Sequence, residues 1–431
     1  MSSKLVNWAA ALFLLVLTTA PALAAKPAAP APKPVMKLHF ANPTYDYELK
    51  RAMSYAVSGG ADINECLIVA QAITPGDGDS WYRAWHQMAQ KLDRMAAQAL
   101  KAGHRQTARE SWLRACNYYR SAEFFLHGNP KDPRILSSWG ASRRCFRQAA
   151  KLMDHPVEVI SIPYEGHQLP GYLVKPDASP KPRKTLILQT GFDGTGEELY
   201  MDVAWYAIER GYNVLIFEGP GQGGALRQEH LYFRPDWEKV VTPVVDYALT
   251  RPELDPKRLA LMGLSMGGYL APRAAAFEHR LAALVANPGE IDMMEGNRPS
   301  KKEWAEMKKD PAATNQALRA QMKRDIGFRW LINNGMFTTG TKTPLAFLEF
   351  FSRFRLSDKV VAQIKCPTLV VAGAGDHFSS AALQSLLYDK LTAPKALLRF
   401  GPDSPARQHC QVGGLLLGNA KIFDWLDQVL R

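Results

Sequence analysis

Cysteine is sparse in this chain and shows no pairing pattern. Five cysteines occur in 431 residues, at Cys66, Cys116, Cys145, Cys366 and Cys410, and no two are separated by C-x-x-C spacing. That excludes a zinc ribbon and a thioredoxin-type redox motif. In an oxidising compartment one disulfide could form, with Cys116–Cys145 as the first candidate, and buried free thiols are the alternative. The basic residues outnumber the acidic ones, giving a net charge of +12. They are scattered, with no basic run interleaved with aromatics, so a nucleic-acid groove is not indicated and a solvated basic surface is. No segment recurs at a fixed period, which argues against a solenoid or a propeller. Past the N-terminal segment no apolar stretch is long enough to span a bilayer. What remains is ordinary for a globular protein, 47% hydrophobic and 22% charged, and long enough for two or three cored domains.

The N-terminus reads as a leader. Lys4 precedes the apolar run Trp8–Leu17, and Ala22-Leu23-Ala24 supplies a small-x-small cleavage site. Residues 1–24 are therefore expected to be a secretory signal peptide, which places the mature protein in the periplasm or outside the cell. Residues 25–42, rich in Ala, Pro and Lys at their start, are expected to be a disordered linker. Residues 43–154 show helical spacing without a convincing strand, broken at Gly59-Gly60, Thr74–Gly78, Gly103 and Gly128-Asn129-Pro130. Ser80–Ala102 and Arg105–Leu126 have the pattern of a helical hairpin.

The pattern changes after residue 155. Val157–Pro163 and Leu169–Val174 alternate around Glu165-Gly166-His167, a hairpin signal. Short apolar runs follow at Thr185–Gln189, Asn213–Phe217, Leu259–Met262, Leu281–Ala286, Thr368–Ala372 and Ala396–Phe400, mostly separated by helical stretches. These features predict an α/β domain over 155–431, mostly parallel with an antiparallel start, with functional groups at the carboxyl ends of the strands. Between about 290 and 362 the alternation fails. That stretch is helical and rich in Met and aromatic residues, from Met293 to Phe354. It reads as a cap inserted between two strands, suited to a bulky apolar substrate.

Leu259–Met262 runs directly into Gly263-Leu264-Ser265-Met266-Gly267, the G-x-S-x-G of a nucleophile elbow, in which a serine sits on a strained strand-to-helix turn. A serine nucleophile needs a base, and the base needs an acid to fix its tautomer. Three histidines follow Ser265. His279 lies too far down the helix after the elbow, and His377 adjoins Asp376, the better acid. His409, in the loop after the last strand, is the expected base. Asp376 is the expected acid, with Glu290 and Asp292 as alternatives. The order Ser265, Asp376, His409 is that of the α/β-hydrolases. Two backbone N–H groups should bind the oxyanion, those of Met266 and Phe192, the latter in Thr190–Gly194. Gly219-Pro220-Gly221-Gln222-Gly223-Gly224 satisfies G-x-G-x-x-G, but it contains proline and follows a later strand, so a tight loop beside the site is expected and not a nucleotide cradle.

Gly191–Glu198, Phe217–Gly223, Gly263–Gly268 and His409-Cys410-Gln411 together resemble the α/β-hydrolase group that includes 2,6-dihydroxypseudooxynicotine hydrolase, fungal polyketide chain-shortening hydrolases and fermentation-respiration-switch proteins. The resemblance covers about residues 40–431. It implies a helical N-terminal domain packed beside the catalytic domain, and cleavage of an ester or a carbonyl-adjacent C–C bond in a small molecule. It implies no metal or cofactor, and an additional substrate-side acid in the carbon–carbon members, for which Glu290 is the candidate. A homodimer is left open. The competing readings are an acylaminoacyl-type peptidase, which usually carries a β-propeller, and a non-catalytic binding or scaffold protein retaining the fold.

Overall fold

The computed structural model of the protein describes residues 38–294 and 296–431. The expected signal peptide, and the linker up to residue 37, lie outside the described residues. The remainder of that linker is ordered by Phe40, which is 4% exposed and packs edge-on against Tyr45. An aromatic ring at this point gains more by burial, about 1.5–3 kcal/mol, than a solvated tether offers.

Five helices follow: α1 (Pro43–Ser54), α2 (Ile63–Gln71), α3 (Gly78–Lys101), α4 (Arg105–Glu123) and α5 (Pro133–Ala150). Their starts are written in the sequence. Asn42 accepts from the Thr44 and Tyr45 N–H groups ahead of α1, and Asp77 does the same for Asp79 and Ser80 ahead of α3. In α3 the buried residues Trp81, Ala84, Trp85, Ala89, Leu92, Ala96 and Ala99 recur three or four apart, the stripe that packs on α4. Gly103, at φ 84°, makes the reversal between the two helices. All five cysteines are buried free thiols, each within the described residues. The Cys116–Cys145 bridge is not formed: the Cys116 thiol instead lies 3.3 Å from the Ser142 hydroxyl.

Among the described residues, eight strands form one sheet: β1 (Val157–Tyr164), β2 (His167–Val174), β3 (Arg183–Gln189), β4 (Asn213–Phe217), β5 (Leu254–Leu264), β6 (Ala283–Asn287), β7 (Thr368–Gly373) and β8 (Lys395–Phe400). Their spatial order is β1-β2-β4-β3-β5-β6-β7-β8. β2 runs antiparallel to both its neighbours and every later pair is parallel. This is the α/β-hydrolase fold with an antiparallel start. β4 and β6 are buried at every position, as strands covered on both faces must be. Between β6 and β7 the chain leaves the sheet for helices Lys301–Lys309, Pro311–Arg324, Ile326–Thr339 and Pro344–Phe351. The cap also touches the N-terminal helices, where Trp330 stacks on Phe124 with centroids 5.0 Å apart. The carboxyl ends of β3, β5, β6, β7 and β8 converge beneath it.

Candidate active site

Ser265 adopts φ 59°, a left-handed conformation that costs a non-glycine residue about 1–3 kcal/mol and persists only when its surroundings impose it. They do. Ser265 N–H donates to the Asn287 carbonyl of β6 at 2.7 Å, and its own carbonyl accepts from Gly268 N–H at 2.7 Å, opening helix Gly267–Ala275. A Cβ on Gly263 would lie 1.9 Å from the Gly267 carbonyl oxygen, so only glycine lets strand and helix meet this closely.

The turn presents Ser265 Oγ to His409 Nε2 at 2.9 Å, and His409 Nδ1 lies 2.6 Å from Asp376 Oδ2. Asp376 is itself held from three sides, accepting from the N–H groups of Phe378 and Ser379 and from Gln384 Nε2. With Asp376 ionised, Nδ1 must carry the proton, which leaves Nε2 to accept from the serine. Burial disfavours charge on both partners, yet each favours it in the other. Against burial, the Asp376 carboxylate and the Cys410 sulfur lift His409 well above its ordinary value. Against burial, His409 holds Asp376 below the usual carboxylate range.

The other candidates fall into place around this line. Gly191 abuts the elbow so tightly that a Cβ there would lie 2.6 Å from Met266 N and 2.8 Å from Ser265 Cβ. Phe192, the next residue, and Met266 line the same cavity as Ser265. Glu290 is buried and lines the same cavity as Ser265. Asp292 is engaged elsewhere, accepting twice from Arg298, at 2.7 and 2.5 Å, so Asp376 is the acid that reaches His409. His279 lies beyond the end of helix Gly267–Ala275, its Nε2 3.1 Å from the Ala276 carbonyl. His377 packs against Tyr47, the rings tilted with centroids 4.5 Å apart, and burial together with the neighbouring His409 depresses it to about 4.

One wall of the site has no counterpart in the sequence reading, because α1 supplies it from more than 200 residues upstream of the elbow. Tyr47 donates to the His409 carbonyl at 3.2 Å. Arg51 spans two carboxylates of the loop after β3: Nη1 meets Asp193 at 2.6 Å, while Nε and Nη2 take both oxygens of Glu198 at 2.8 Å. Burial would raise Glu198, but Arg120 and Arg51 hold it down to about 2. Burial pushes Glu48 and Asp202, on the same wall, up to about 7. The only signal in the sequence was Asp193 and Glu198 themselves, acidic residues in an otherwise glycine-rich loop. The cavity bounded by this wall, the triad and the cap has a volume of about 950 Å³. The cap side contributes Met293, Met307, Phe328, Trp330 and Leu331 to its lining, together with the charged residues Glu306, Lys309 and Asp310.

The profile of the family described as serine aminopeptidase, S33, matches residues 180–402. The chain belongs to this α/β-hydrolase family. It is a hydrolase, and its likeness to known hydrolases runs well beyond the matched segment. Hydrolase LUC6 from Fusarium sp. is 36% identical over 408 residues, covering 90% of this chain and 97% of that one. The 20-hydroxy-prefusarin hydrolase FUS2 of Gibberella moniliformis is 35% identical, with 90% and 97% covered. Among solved structures, 2,6-dihydroxy-pseudo-oxynicotine hydrolase superposes with a TM-score of 0.68 at 21% identity, covering 88% of this chain and 95% of that one. These spans extend over the N-terminal helices, so the helical partner belongs to the shared architecture of this S33-family hydrolase.

Proposed function

We propose that this hydrolase uses Ser265 as nucleophile, His409 as general base and Asp376 as the acid that orients it. It would cleave an ester or a carbonyl-adjacent C–C bond in a largely apolar, aromatic small molecule. The observation that carries the proposal is the unbroken hydrogen-bonded line from Ser265 through His409 to Asp376. Ser265 Oγ attacks the substrate carbonyl as its proton passes to His409 Nε2, and the Phe192 and Met266 N–H groups receive the charge on the carbonyl oxygen. The leaving group, alkoxide or carbanion, takes the proton from His409. Water, activated by the same imidazole, then releases the acyl group from Ser265. For C–C cleavage Glu290 is the substrate-side acid. The shape of the cavity supports an amphipathic substrate, its apolar part under the cap and its polar end toward Arg51, Glu48 and Asp202. Similarity to a 20-hydroxy-prefusarin hydrolase over nine-tenths of the chain supports a small-molecule substrate over a peptide. The leader read in residues 1–24 supports export to the periplasm or beyond.

The test is an activity screen of the mature protein with aryl esters, aromatic β-diketones and aryl amides, joined to fluorophosphonate labelling. Wild type should label, and Ser265→Ala should fold normally, fail to label and lose turnover of every active substrate. Labelling that survives in Ser265→Ala would assign the nucleophile elsewhere.

A further inference from the structure

The glycine-rich segment Gly219–Gly224 takes no part in the steps above, yet its one long polar side chain is buried against the loop that carries Phe192. Gln222 is 2% exposed. Its Oε1 accepts from Gly219 N–H at 2.9 Å, and its Nε2 donates to the carbonyls of Thr190, at 2.7 Å, and Gly191, at 3.1 Å. A donor faces one end of the amide and two acceptors face the other, so its orientation is fixed. The segment around it is equally fixed. A Cβ on Gly221 would lie 2.3 Å from the Phe233 ring, and one on Gly219 2.7 Å from Trp237. The glycines are there for this packing and leave no phosphate cradle.

The Gly191 carbonyl and the Phe192 N–H belong to one planar peptide, in which they point in opposite directions. A hydrogen bond that pins the carbonyl therefore aims the N–H. Polarising the carbonyl also strengthens the N–H as a donor. Gly191, the first residue of that peptide, packs directly on the elbow, a Cβ there lying 2.6 Å from Met266 N. We infer that Gln222 is a positioning residue for the oxyanion site, holding the Gly191–Phe192 peptide so that its N–H faces the carbonyl oxygen of the substrate. The inference rests on the serine-hydrolase reading above.

The experiment compares wild type, Gln222→Met and Gln222→Glu in kcat, KM and affinity for two ligands. One is an aryl trifluoromethyl ketone, whose adduct with Ser265 bears an oxyanion once the hydroxyl proton has moved to His409. The other is the carboxylic acid product, which bears no such centre. Gln222→Met should lower kcat about 10- to 100-fold, somewhat less than outright loss of an oxyanion donor, with KM within about threefold. Ketone affinity should fall in step with kcat while product affinity holds. Gln222→Glu keeps the shape but turns an oxygen toward two carbonyls. Its loss should be larger at high pH and partly recovered at acid pH, where a protonated carboxyl can donate again. Unchanged kcat, or parallel loss of ketone and product affinity, would overturn the inference, the second result marking Gln222 as a packing residue. If Gln222→Met does not fold, the pH dependence of Gln222→Glu decides alone. Failure of the ketone to bind wild type in a Ser265-dependent manner would instead reject the serine reading, and the inference with it.

Discussion

Ser265 is held in a left-handed conformation by contacts its neighbours make: β6 grips its N–H, Gly263 lets the helix close in, and Gly191 brings the loop after β3 against it. The same dependence on neighbours governs His409. Its active form as a base is the neutral imidazole, and Asp376 raises its proton affinity. The sign follows directly. Activity should climb with pH as the imidazolium loses its proton, through a midpoint above the ordinary 6.5. Asp376→Asn removes the charge that raises that affinity and offers Nδ1 the wrong partner. Its expected outcome is a fall in kcat of about 10³–10⁴, together with a rising limb displaced to lower pH. A pH–rate profile of both proteins checks the two effects at once, and a limb displaced upward would contradict the assignment of the acid.

At the scale of elements, the strands and the elbow were legible and the α1 wall was not, for a physical reason. A buried parallel strand announces itself by a local run such as Asn213–Phe217, and an elbow by glycines two residues either side of the serine, because both are short-range constraints. Asp376 and His409 could be placed because strand ends must converge on the elbow. Arg51 obeys no local rule: its partners Asp193 and Glu198 are 142 and 147 residues away. Tertiary contact alone creates that ion-pair cluster, and its arginine looks like any other helical arginine. The burial of Phe40, and the choice between a Cys116–Cys145 bridge and buried free thiols, are hidden on the same ground, since composition and spacing do not report burial. The cluster is a mechanical joint between α1 and the segment after β3. Arg51→Met should take from Asp193 its cation, leave Glu198 to Arg120 alone, and destabilise the protein by about 3–5 kcal/mol, the usual result of removing one partner from a buried pair. Urea titration measures it. A change below about 1 kcal/mol would show that water already screens the cluster.

For the whole molecule, the apolar side chains that the cap brings into the cavity set the specificity to be expected. The cap's aromatic residues serve two ends. Phe354 is fully buried core, while Phe328, Trp330, Leu331 and the edge of Phe347 reach the cavity. A cavity of about 950 Å³ is at the large end of small-molecule sites. The value of kcat/KM should therefore rise along acetyl, hexanoyl, benzoyl and naphthoyl esters of one alcohol, and a preference for acetyl would show that the cap's rings fill the space themselves. The contact between Tyr47 and the His409 carbonyl bridges 362 residues, and Ser54 accepts from Gly413 N–H across 359. During synthesis α1 must wait for nearly the whole chain before it meets the loop that carries His409 and Gly413. No nascent fragment ending before that loop has a finished site, so a ribosome stalled anywhere earlier in the message holds an inert polypeptide.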